Sequence, residues 1–411
     1  MRIGVNCFLL QPFIGGLKQY FLTLFRELLA GHDGHEYVFF WYPHNADELA
    51  QLETDRWRQH AVPLEDQRQV LNHLDRIDLY FCPFSALYPR PVPRPSVMTL
   101  VDIQETFYPE FFTPAERYMR ALHFPGSTRM ADRVITISEF SRRTLIEHHR
   151  LPAERVKVVH LCGDERYARG ETVAHRPDAP LPDRFLFYPA NGWKHKNHAT
   201  LFRALRQLRD ERGRRFDLVL TGFDQHTDSA LGAEAEAHGV KDQVLALGYR
   251  PLEELAYLYR HADMLVFPSL FEGFGIPLVE AMASGCPVVA ANDTSIPEVV
   301  GDAAELFDPT SPAALAAAVL RVADDAALRE TLRRRGREQA RRFSAARMAD
   351  GHRAAFEEAA RVYSPRTFLW RRWVTGYWHR AQLEWRWRAH HRRTLAEWRR
   401  AGRGWLRDPA G

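Results

Sequence analysis

The sequence predicts an α/β protein made of two domains with parallel sheets. Its 411 residues are too many for one hydrophobic core, so two domains of about 150–200 residues are expected. Short apolar runs recur along the chain between helical patterns, as in sheets whose parallel strands are buried on both faces. Residues 264–291 also contain a complete strand–loop–helix–strand unit.

This unit has apolar runs at residues 264–268 and 286–291, separated by a loop and one short helix. Pro277 suits a first helical position, because its missing N–H would have no partner there. Gly285 suits the residue just past the helix end. The loop therefore lies at the carboxyl end of a strand, where open parallel sheets bind ligands.

The loop of this unit combines glycines with two carboxylates. Gly273, Gly275 and the helix N-terminus offer backbone N–H groups and a positive dipole end, which suit phosphate. Glu272 in the loop and Glu280 in the helix are suited to accept hydrogen bonds from hydroxyls. Together these groups fit a nucleotide sugar. A buried βαβ unit with Glu280 as a solvated helix residue fits the spacing equally well.

Other strands and helices follow the same pattern along the chain. The predicted strands cover residues 2–6, 37–41, 78–82, 96–100, 131–137 and 156–160 in the first domain, and 185–189, 216–222, 244–249, 264–268, 286–291 and 302–307 in the second. The predicted helices include residues 17–29, 199–212, 251–260, 312–323, 326–343 and 345–363.

Two features of the first domain lie at strand ends. Gly15 and Gly16 follow the first strand and would let the backbone approach a ligand closely, although a plain turn explains them as well. Asp102 comes just past the strand at 96–100, at the edge where ligands bind. A helix-capping role for Asp102 is an equal alternative.

The sequence divides into five segments. Residues 1–166 form the first domain, and residues 167–183, with three prolines and no periodicity, form a linker. Residues 184–344 form the second domain. A helix at 345–363 and a tail at 364–411 complete the chain.

The tail differs in composition from the rest of the chain. Residues 366–407 hold twelve Arg, no Lys, two Glu and seven of the ten Trp. Many aromatic residues recur at helical spacing: Trp370, Trp373, Tyr377, Trp378, Trp385, Trp387, Trp398 and Trp405. Trp with Arg suits an anionic membrane surface. Packing on the body or on a partner, a disordered extension, and nucleic-acid binding are the alternatives, and nucleic acid is not expected.

The remaining composition favours the cytoplasm. Four widely spaced cysteines, Cys7, Cys82, Cys162 and Cys286, match no metal or redox pattern and are expected to be small buried side chains. The sequence contains no signal peptide pattern and no apolar run long enough to span a bilayer. We therefore expect a cytoplasmic protein, peripheral on the inner face of the plasma membrane.

The stretch EGFGIPLVEAMASGCPVV, with seven residues between Glu272 and Glu280, resembles the signature of retaining glycosyltransferases of family 4. The resemblance extends from about residue 1 to about residue 360. It implies the GT-B fold, in which two Rossmann-like, doubly wound domains face each other across a cleft. It also implies that the helix at 345–363 crosses back to the first domain.

The resemblance implies retaining, metal-independent transfer of a hexose from a nucleotide-diphosphate sugar, with no separate cofactor. The acceptor would be a glycan or a lipid-linked glycan in cell-surface polysaccharide synthesis. Residues 188–198 and 271–277 resemble bacterial polysaccharide mannosyl- or rhamnosyltransferases, which favours GDP-mannose as donor.

The resemblance also assigns roles. Glu272 would orient sugar hydroxyls and support the transition state, Lys196 would neutralise the diphosphate, and Asp102 would face the cleft. Glu280 would bind the ribose. The other substrate-binding residues, expected from the resemblance or from their place at a strand end, would be Gly15, Gly16, Asn191, Lys194, Gly222, Tyr249, Arg250, Phe274, Gly275, Ile276, Pro277, Thr294 and Ser295.

Two positions depart from the family pattern. Val101 stands where many relatives have a His. Asn191 stands where they have an Arg that binds the diphosphate, and Lys194 would take over the role of that Arg. Three other functions stay open. The two departures would fit a membrane-associated scaffold with a vestigial site. A nucleotide-sugar epimerase would need further cleft carboxylates and no acceptor, and a phosphorylase would need a pyridoxal lysine site, for which nothing in the sequence argues. Intact Glu272, Glu280 and Lys196 argue against the scaffold.

Overall fold

The protein is described from a computed structural model, which covers residues 1–12, 15–31, 34–164, 166–167, 174–222, 225–374, 381 and 385. The chain forms two compact units. The first contains residues 1–160 and the described residues from Ala345 onward, and the second contains residues 161–344. Residues 174–183, assigned above to a linker, thus belong to the second compact unit.

The first unit is built on a seven-stranded parallel sheet with the order β3-β2-β1-β4-β5-β6-β7. Its strands are β1 (Arg2–Asn6), β2 (Glu36–Trp41), β3 (Val62–Pro63), β4 (Leu79–Cys82), β5 (Ser96–Thr99), β6 (Arg133–Thr136) and β7 (Val156–Val158). The apolar runs predicted six of these strands. β3 was missed, because a two-residue edge strand has no periodicity to detect.

Helices connect most strands of the first unit, as crossovers between parallel strands require. They are α1 (Gly16–Ala30), α2 (Ala46–Ala50), α3 (Gln104–Phe107), α4 (Pro114–Met130), α5 (Glu139–His149), with α13 (Ala345–Val362) and α14 (Pro365–Trp373) from the end of the chain. Ser138 begins α5, because its hydroxyl accepts a hydrogen bond from the Ser141 N–H.

A buried polar chain joins three elements of the first unit. The Tyr20 hydroxyl on α1 lies 2.9 Å from the Thr99 hydroxyl on β5 and 2.8 Å from Nε2 of His352 on α13. Nδ1 of His352 donates to the Met348 carbonyl. All three side chains are buried, so α13 is fixed within this unit by hydrogen bonds as well as by apolar contacts.

The second unit has a six-stranded parallel sheet with the order β10-β9-β8-β11-β12-β13. Its strands are β8 (Leu186–Pro189), β9 (Leu218–Thr221), β10 (Val244–Ala246), β11 (Met264–Phe267), β12 (Val288–Ala291) and β13 (Ala304–Phe307). Each was predicted from an apolar run. Its helices are α6 (His198–Arg212), α7 (Gln225–Ala237), α8 (Leu252–His261), α9 (Ile276–Ala283), α10 (Ile296–Val300), α11 (Pro312–Asp324) and α12 (Ala326–Ala340).

Each sheet has a point where the strand order reverses. In the second unit the chain runs outward from β8 through β9 to β10, then returns to place β11 on the other side of β8. In the first unit the same reversal falls between β1 and β4. Ligands of open α/β sheets bind outside the carboxyl ends of the strands at such a switch point.

Among the described residues, no helix is long and apolar enough to cross a bilayer. The four cysteines are free and buried. Of the aromatic tail residues named above, Tyr377, Trp378, Trp387, Trp398 and Trp405 lie outside the described residues.

Candidate active site

Three loops of the second unit meet at the carboxyl edge of adjacent strands. Residues 190–197 follow β8, residues 268–275 follow β11, and residues 292–295 follow β12. Since β8, β11 and β12 are neighbours in the sheet, these loops lie beside the switch point. They carry most of the candidate residues of the second domain.

Lys196 and Glu272 form an ion pair across the switch point. Lys196 Nζ donates to Glu272 Oε1 at 2.8 Å, and the two side chains are only 16% and 11% exposed. Burial alone would raise the pKa of Glu272, but the Lys196 charge and the hydrogen bonds from Lys196 and Ser269 hold this pKa below its usual value. Glu272 is therefore an ionised carboxylate at neutral pH.

The Lys196 loop is fixed by its neighbours rather than by regular structure. A single helical turn at Lys194–Lys196 ends at Asn197, which has a φ of 60°. The Asn197 amide donates to the carbonyls of Pro268 and Pro309, both at 2.9 Å, and the buried Tyr188 hydroxyl donates to the Lys196 carbonyl at 2.9 Å. These contacts hold the Lys196 backbone against the β11 loop.

The Glu272 loop is held from the other side by the β12 loop. The Glu272 N–H donates to the Thr294 hydroxyl at 3.2 Å. The buried Ser295 hydroxyl donates to the Glu272 carbonyl at 2.9 Å and lies 3.3 Å from the Phe274 carbonyl. In this structure Thr294 and Ser295 thus position the Glu272 backbone.

Helix α9 begins directly after this loop. Gly275 is its N-cap with a φ of 99°, a conformation that side chains rarely adopt, and a Cβ there would approach Leu278 Cδ1 to 2.8 Å. Pro277 lies in the first turn, Phe274 and Ile276 are buried, and Gly285 follows the helix with a φ of 73°. Since α9 begins just after the carboxyl end of β11, its positive dipole end lies at this edge of the sheet.

Glu280 on α9 is buried and held by a residue that the sequence analysis missed. The Tyr259 hydroxyl on α8 donates to Glu280 Oε2 at 2.9 Å. A Cβ at Gly163 would approach Glu280 Cγ to 3.0 Å, so this part of the chain packs directly on Glu280. Tyr167 packs edge-on against Tyr259, with ring centroids 5.5 Å apart. No periodic signal connects these segments, which are about a hundred residues apart in sequence.

The remaining candidates of the second unit lie along the same edge. A Cβ at Gly222 would approach the Ala190 carbonyl oxygen to 2.9 Å, so β9 ends against the β8 loop. Asn191 Oδ1 is buried without a hydrogen-bond partner among the described residues. Lys194 and Tyr249 are exposed, and Arg250 pairs with Glu254 at 3.4 Å.

Two histidines beside Lys196 are neutral at physiological pH. Burial and the Lys196 charge lower the pKa of His195 to about 4 and that of His198 to about 3. The positive charge of this loop at neutral pH therefore comes from its lysines. These protonation states depend on burial and cannot be read from the sequence.

The candidates of the first unit lie at its own carboxyl edge. Asp102 Oδ1 accepts from the Gln104 N–H at 3.1 Å, a local contact two residues along the chain, while Ile103 is the N-cap of α3. Gly15 is the N-cap of α1 with a φ of 49°, and open space surrounds the position of a Cβ. Gly16 is the first residue of α1.

Two family models match most of the chain. The model described as Glycosyltransferase Family 4 matches residues 14–166, and the model described as Glycosyl transferases group 1 matches residues 173–339. The two matches fall on the two sheets described above. The second includes Lys196, Glu272 and Glu280.

Two curated relatives come from Escherichia coli. O-antigen chain mannosyltransferase B is 35% identical over 260 residues, which are 61% of this chain and 66% of that protein. The serotype-specific mannosyltransferase WbdA is 31% identical over 201 residues, 47% of this chain. This chain therefore spans slightly under two thirds of the first relative and 24% of the second.

A solved structure shares the fold. HepE of Anabaena, in complex with UDP and glucose, matches with a TM-score of 0.65 and 20% identity, covering 87% of this chain and 99% of that one. This likeness shows a GT-B architecture, with two Rossmann-like domains built on parallel sheets.

Proposed function

Because the chain belongs to the family 4 glycosyltransferases, we propose that it transfers a hexose from a nucleotide-diphosphate sugar to a glycan or lipid-linked acceptor. Transfer retains the anomeric configuration and needs no metal. The mannosyltransferase names of its relatives favour mannose, and hence GDP-mannose, as donor. The product belongs to a cell-surface polysaccharide such as O-antigen, made on the cytoplasmic side of the plasma membrane.

The observation that carries this proposal is the ion pair of Lys196 and Glu272 at the switch point. An ammonium group has three N–H donors, and Glu272 occupies one of them at 2.8 Å. The others are suited to the oxygens of a diphosphate, together with the first-turn N–H groups of α9. The ionised Glu272 is suited to accept hydrogen bonds from sugar hydroxyls. One pair thus serves both halves of the donor.

The proposed reaction needs no nucleophile from the protein. The acceptor hydroxyl attacks the anomeric carbon on the face that the diphosphate leaves. A bond forms between the acceptor oxygen and this carbon, the bond to the phosphate oxygen breaks, and a diphosphate oxygen takes the proton. Lys196 and the α9 N-terminus stabilise the charge on the leaving diphosphate, while Glu272 and Glu280 position the sugar and the ribose.

The proposal is tested first by nucleotide binding. Purified protein is heated with UDP, GDP, dTDP or ADP, with and without their sugars. A ligand that binds only the folded state adds about 2.7 kcal/mol of stability at a hundredfold excess over its Kd. We expect GDP and GDP-mannose to raise the melting temperature, and Glu280→Ala to abolish the shift.

The outcomes separate the alternatives. Sugar transfer to a glycan acceptor that persists in EDTA supports the proposal. Interconversion of nucleotide sugars without acceptor indicates an epimerase. If folded protein shows no rise in melting temperature with any of the nucleotides, the transferase function is rejected and the scaffold function remains.

A further inference from the structure

Helix α14, Pro365–Trp373, has two opposite faces with different roles. Phe368 packs against the apolar core of the first unit. Arg371, three residues later, donates from Nη1 to Asp132 Oδ1 at 2.8 Å, and this pair is largely buried. Residues three apart share a helix face, so Phe368 and Arg371 anchor one side of α14 to the unit.

The other face of α14 is apolar, aromatic and exposed. Arg366, Leu369, Trp370 and Trp373 follow the i, i+3, i+4, i+7 spacing of one helix face, opposite the anchor. Leu369, Trp370 and Trp373 are 58%, 65% and 55% exposed. The two indoles stack, with centroids 6.0 Å apart. An exposed patch of this kind on a folded unit marks an interaction surface.

The residues of this face select its partner. The sequence of α14 contains three Arg and no Asp or Glu, so its charge is positive. Leu369 and the indoles fill the centre of the face, and arginines lie at its end and side (Arg366 and Arg372, both exposed). Indoles prefer the headgroup region, Leu the acyl boundary, and guanidinium groups anionic phosphates. Nucleic acid would leave the central Leu369 without a role.

We propose that the outward face of α14 binds the anionic surface of a lipid bilayer, with Trp370 and Trp373 inserted at headgroup depth. The anchor contacts hold the helix on the first unit, so insertion attaches the whole unit to the membrane. The proposal deepens the membrane location given above. Vesicle binding is measured without sugar transfer, so its failure and that of the transferase are recognised separately.

The test uses the full chain and flotation with vesicles of phosphatidylcholine, with or without phosphatidylglycerol. Wild type should float with the anionic vesicles and much less with the neutral ones. The variant Trp370→Ser/Trp373→Ser should lower the partition coefficient about tenfold, because both inserted rings are lost. Arg366→Glu/Arg372→Glu should weaken binding to anionic vesicles only.

The control is Trp193→Ser, which removes an equally exposed indole from the second unit. It should float like wild type. Two results would overturn the proposal: wild type that does not bind anionic vesicles, and a Trp370/Trp373 variant that binds them unchanged. A folded variant that loses single-stranded DNA binding or self-association, with flotation intact, would assign the face to that partner instead.

Discussion

The two units share a topology but differ in the chemistry at their switch points. The second unit places a buried ion pair, Lys196 and Glu272, at the ends of β8 and β11. At the corresponding ends of β1 and β4, the first unit places neutral groups. Asn6 donates to the Tyr88 carbonyl at 2.7 Å and to Gln67 Oε1 at 3.3 Å, and Tyr80 donates to the same carbonyl at 2.6 Å.

This difference separates what a fold provides from what its residues provide. Both sheets bring loops together at their carboxyl edges, which follows from strand order alone. Lys196 and Glu272 give the switch point of the second unit fixed charges, which suit a diphosphate, whereas the candidate carboxylate of the first unit, Asp102, lies past β5 and not at the switch point. Function is therefore assigned from the side chains and not from the topology.

The largest expected effect comes from neutralising the charged edge. Glu272→Gln keeps the size of the side chain but removes its charge, and Lys196→Met removes the ammonium group. Each should lower kcat for sugar transfer about 10²–10³-fold, as for other groups that stabilise developing charge. Initial rates with the preferred donor measure this loss.

The matched control is Glu305→Gln. Glu305 lies on β13, an edge strand of the same sheet, and pairs with Arg321 of α11, whose side chain is half exposed. Its loss should change kcat less than twofold, since exposed pairs contribute little. Equal activity of Glu272→Gln and Glu305→Gln would contradict the role of the charged edge.

Acid should destabilise the neutral core of the first unit. Burial lowers the pKa of His352 to about 4, against an ordinary value of 6.5. Between these values the unfolded chain binds a proton that the folded chain does not. Stability therefore falls as pH decreases through this range, by about 3 kcal/mol at most for this residue.

Denaturant unfolding of wild type and His352→Gln at several pH values measures the contribution of His352 to the free energy of unfolding. Other buried histidines, His123, His195 and His198, also have lowered pKa values and act in the same direction. The difference between the two proteins isolates His352. This stability difference should be largest above pH 6.5 and shrink toward pH 4. Stability curves of the two proteins that run parallel with pH would exclude a role for His352 protonation.

Introducing a charge among the neutral groups at the end of β1 should lower the stability of the fold. Asn6→Asp replaces the amide that donates to Tyr88 and Gln67 with an oxygen that faces two acceptors. We expect a loss of roughly 2–3 kcal/mol at pH 7, which shrinks at low pH because a protonated carboxyl can donate again.

The control is the same substitution at an exposed strand end of the second unit, Asn292→Asp, which should cost under about 0.5 kcal/mol. Chemical denaturation of both variants at pH 7 and pH 5 makes the comparison. Similar stabilities would mean that the edge of the first unit tolerates charge.

Sequence patterns predicted the strands and helices well, because buried parallel strands are continuous apolar runs. The site helix was predicted within a residue or two, from Pro277 and Gly285 at its ends. Lys196 and Glu272 were each predicted at a strand end of the same domain. Their direct pairing at 2.8 Å was not, since register and side-chain direction depend on packing.

The supporting residues could not be predicted for the same reason. Tyr188, Asn197 and Ser269 hold the Lys196 loop, yet each is an ordinary strand or loop residue in sequence. Thr294 and Ser295 were predicted as substrate contacts, and the structure adds their hydrogen bonds to the Glu272 loop. Such roles arise between segments that only the folded chain brings together.

The smallest effect expected here concerns Tyr259, which positions Glu280. Tyr259→Phe removes one hydroxyl and with it the 2.9 Å hydrogen bond to Glu280 Oε2, without changing the ring contacts to Phe187 and Tyr167. Because Glu280 is proposed to bind the ribose in ground and transition states alike, KM for the donor should rise about 5–20-fold with kcat little changed.

Tyr257→Phe on the same helix is the matched control, since its ring stacks on His261 with centroids 3.8 Å apart and not on Glu280. It should leave KM unchanged. A Tyr259 variant whose kcat falls while KM stays constant would move Glu280 from ribose binding into the chemical step. Both carboxylates of the second edge, Glu272 and Glu280, would then stabilise the transition state, in contrast to the neutral groups of the first unit.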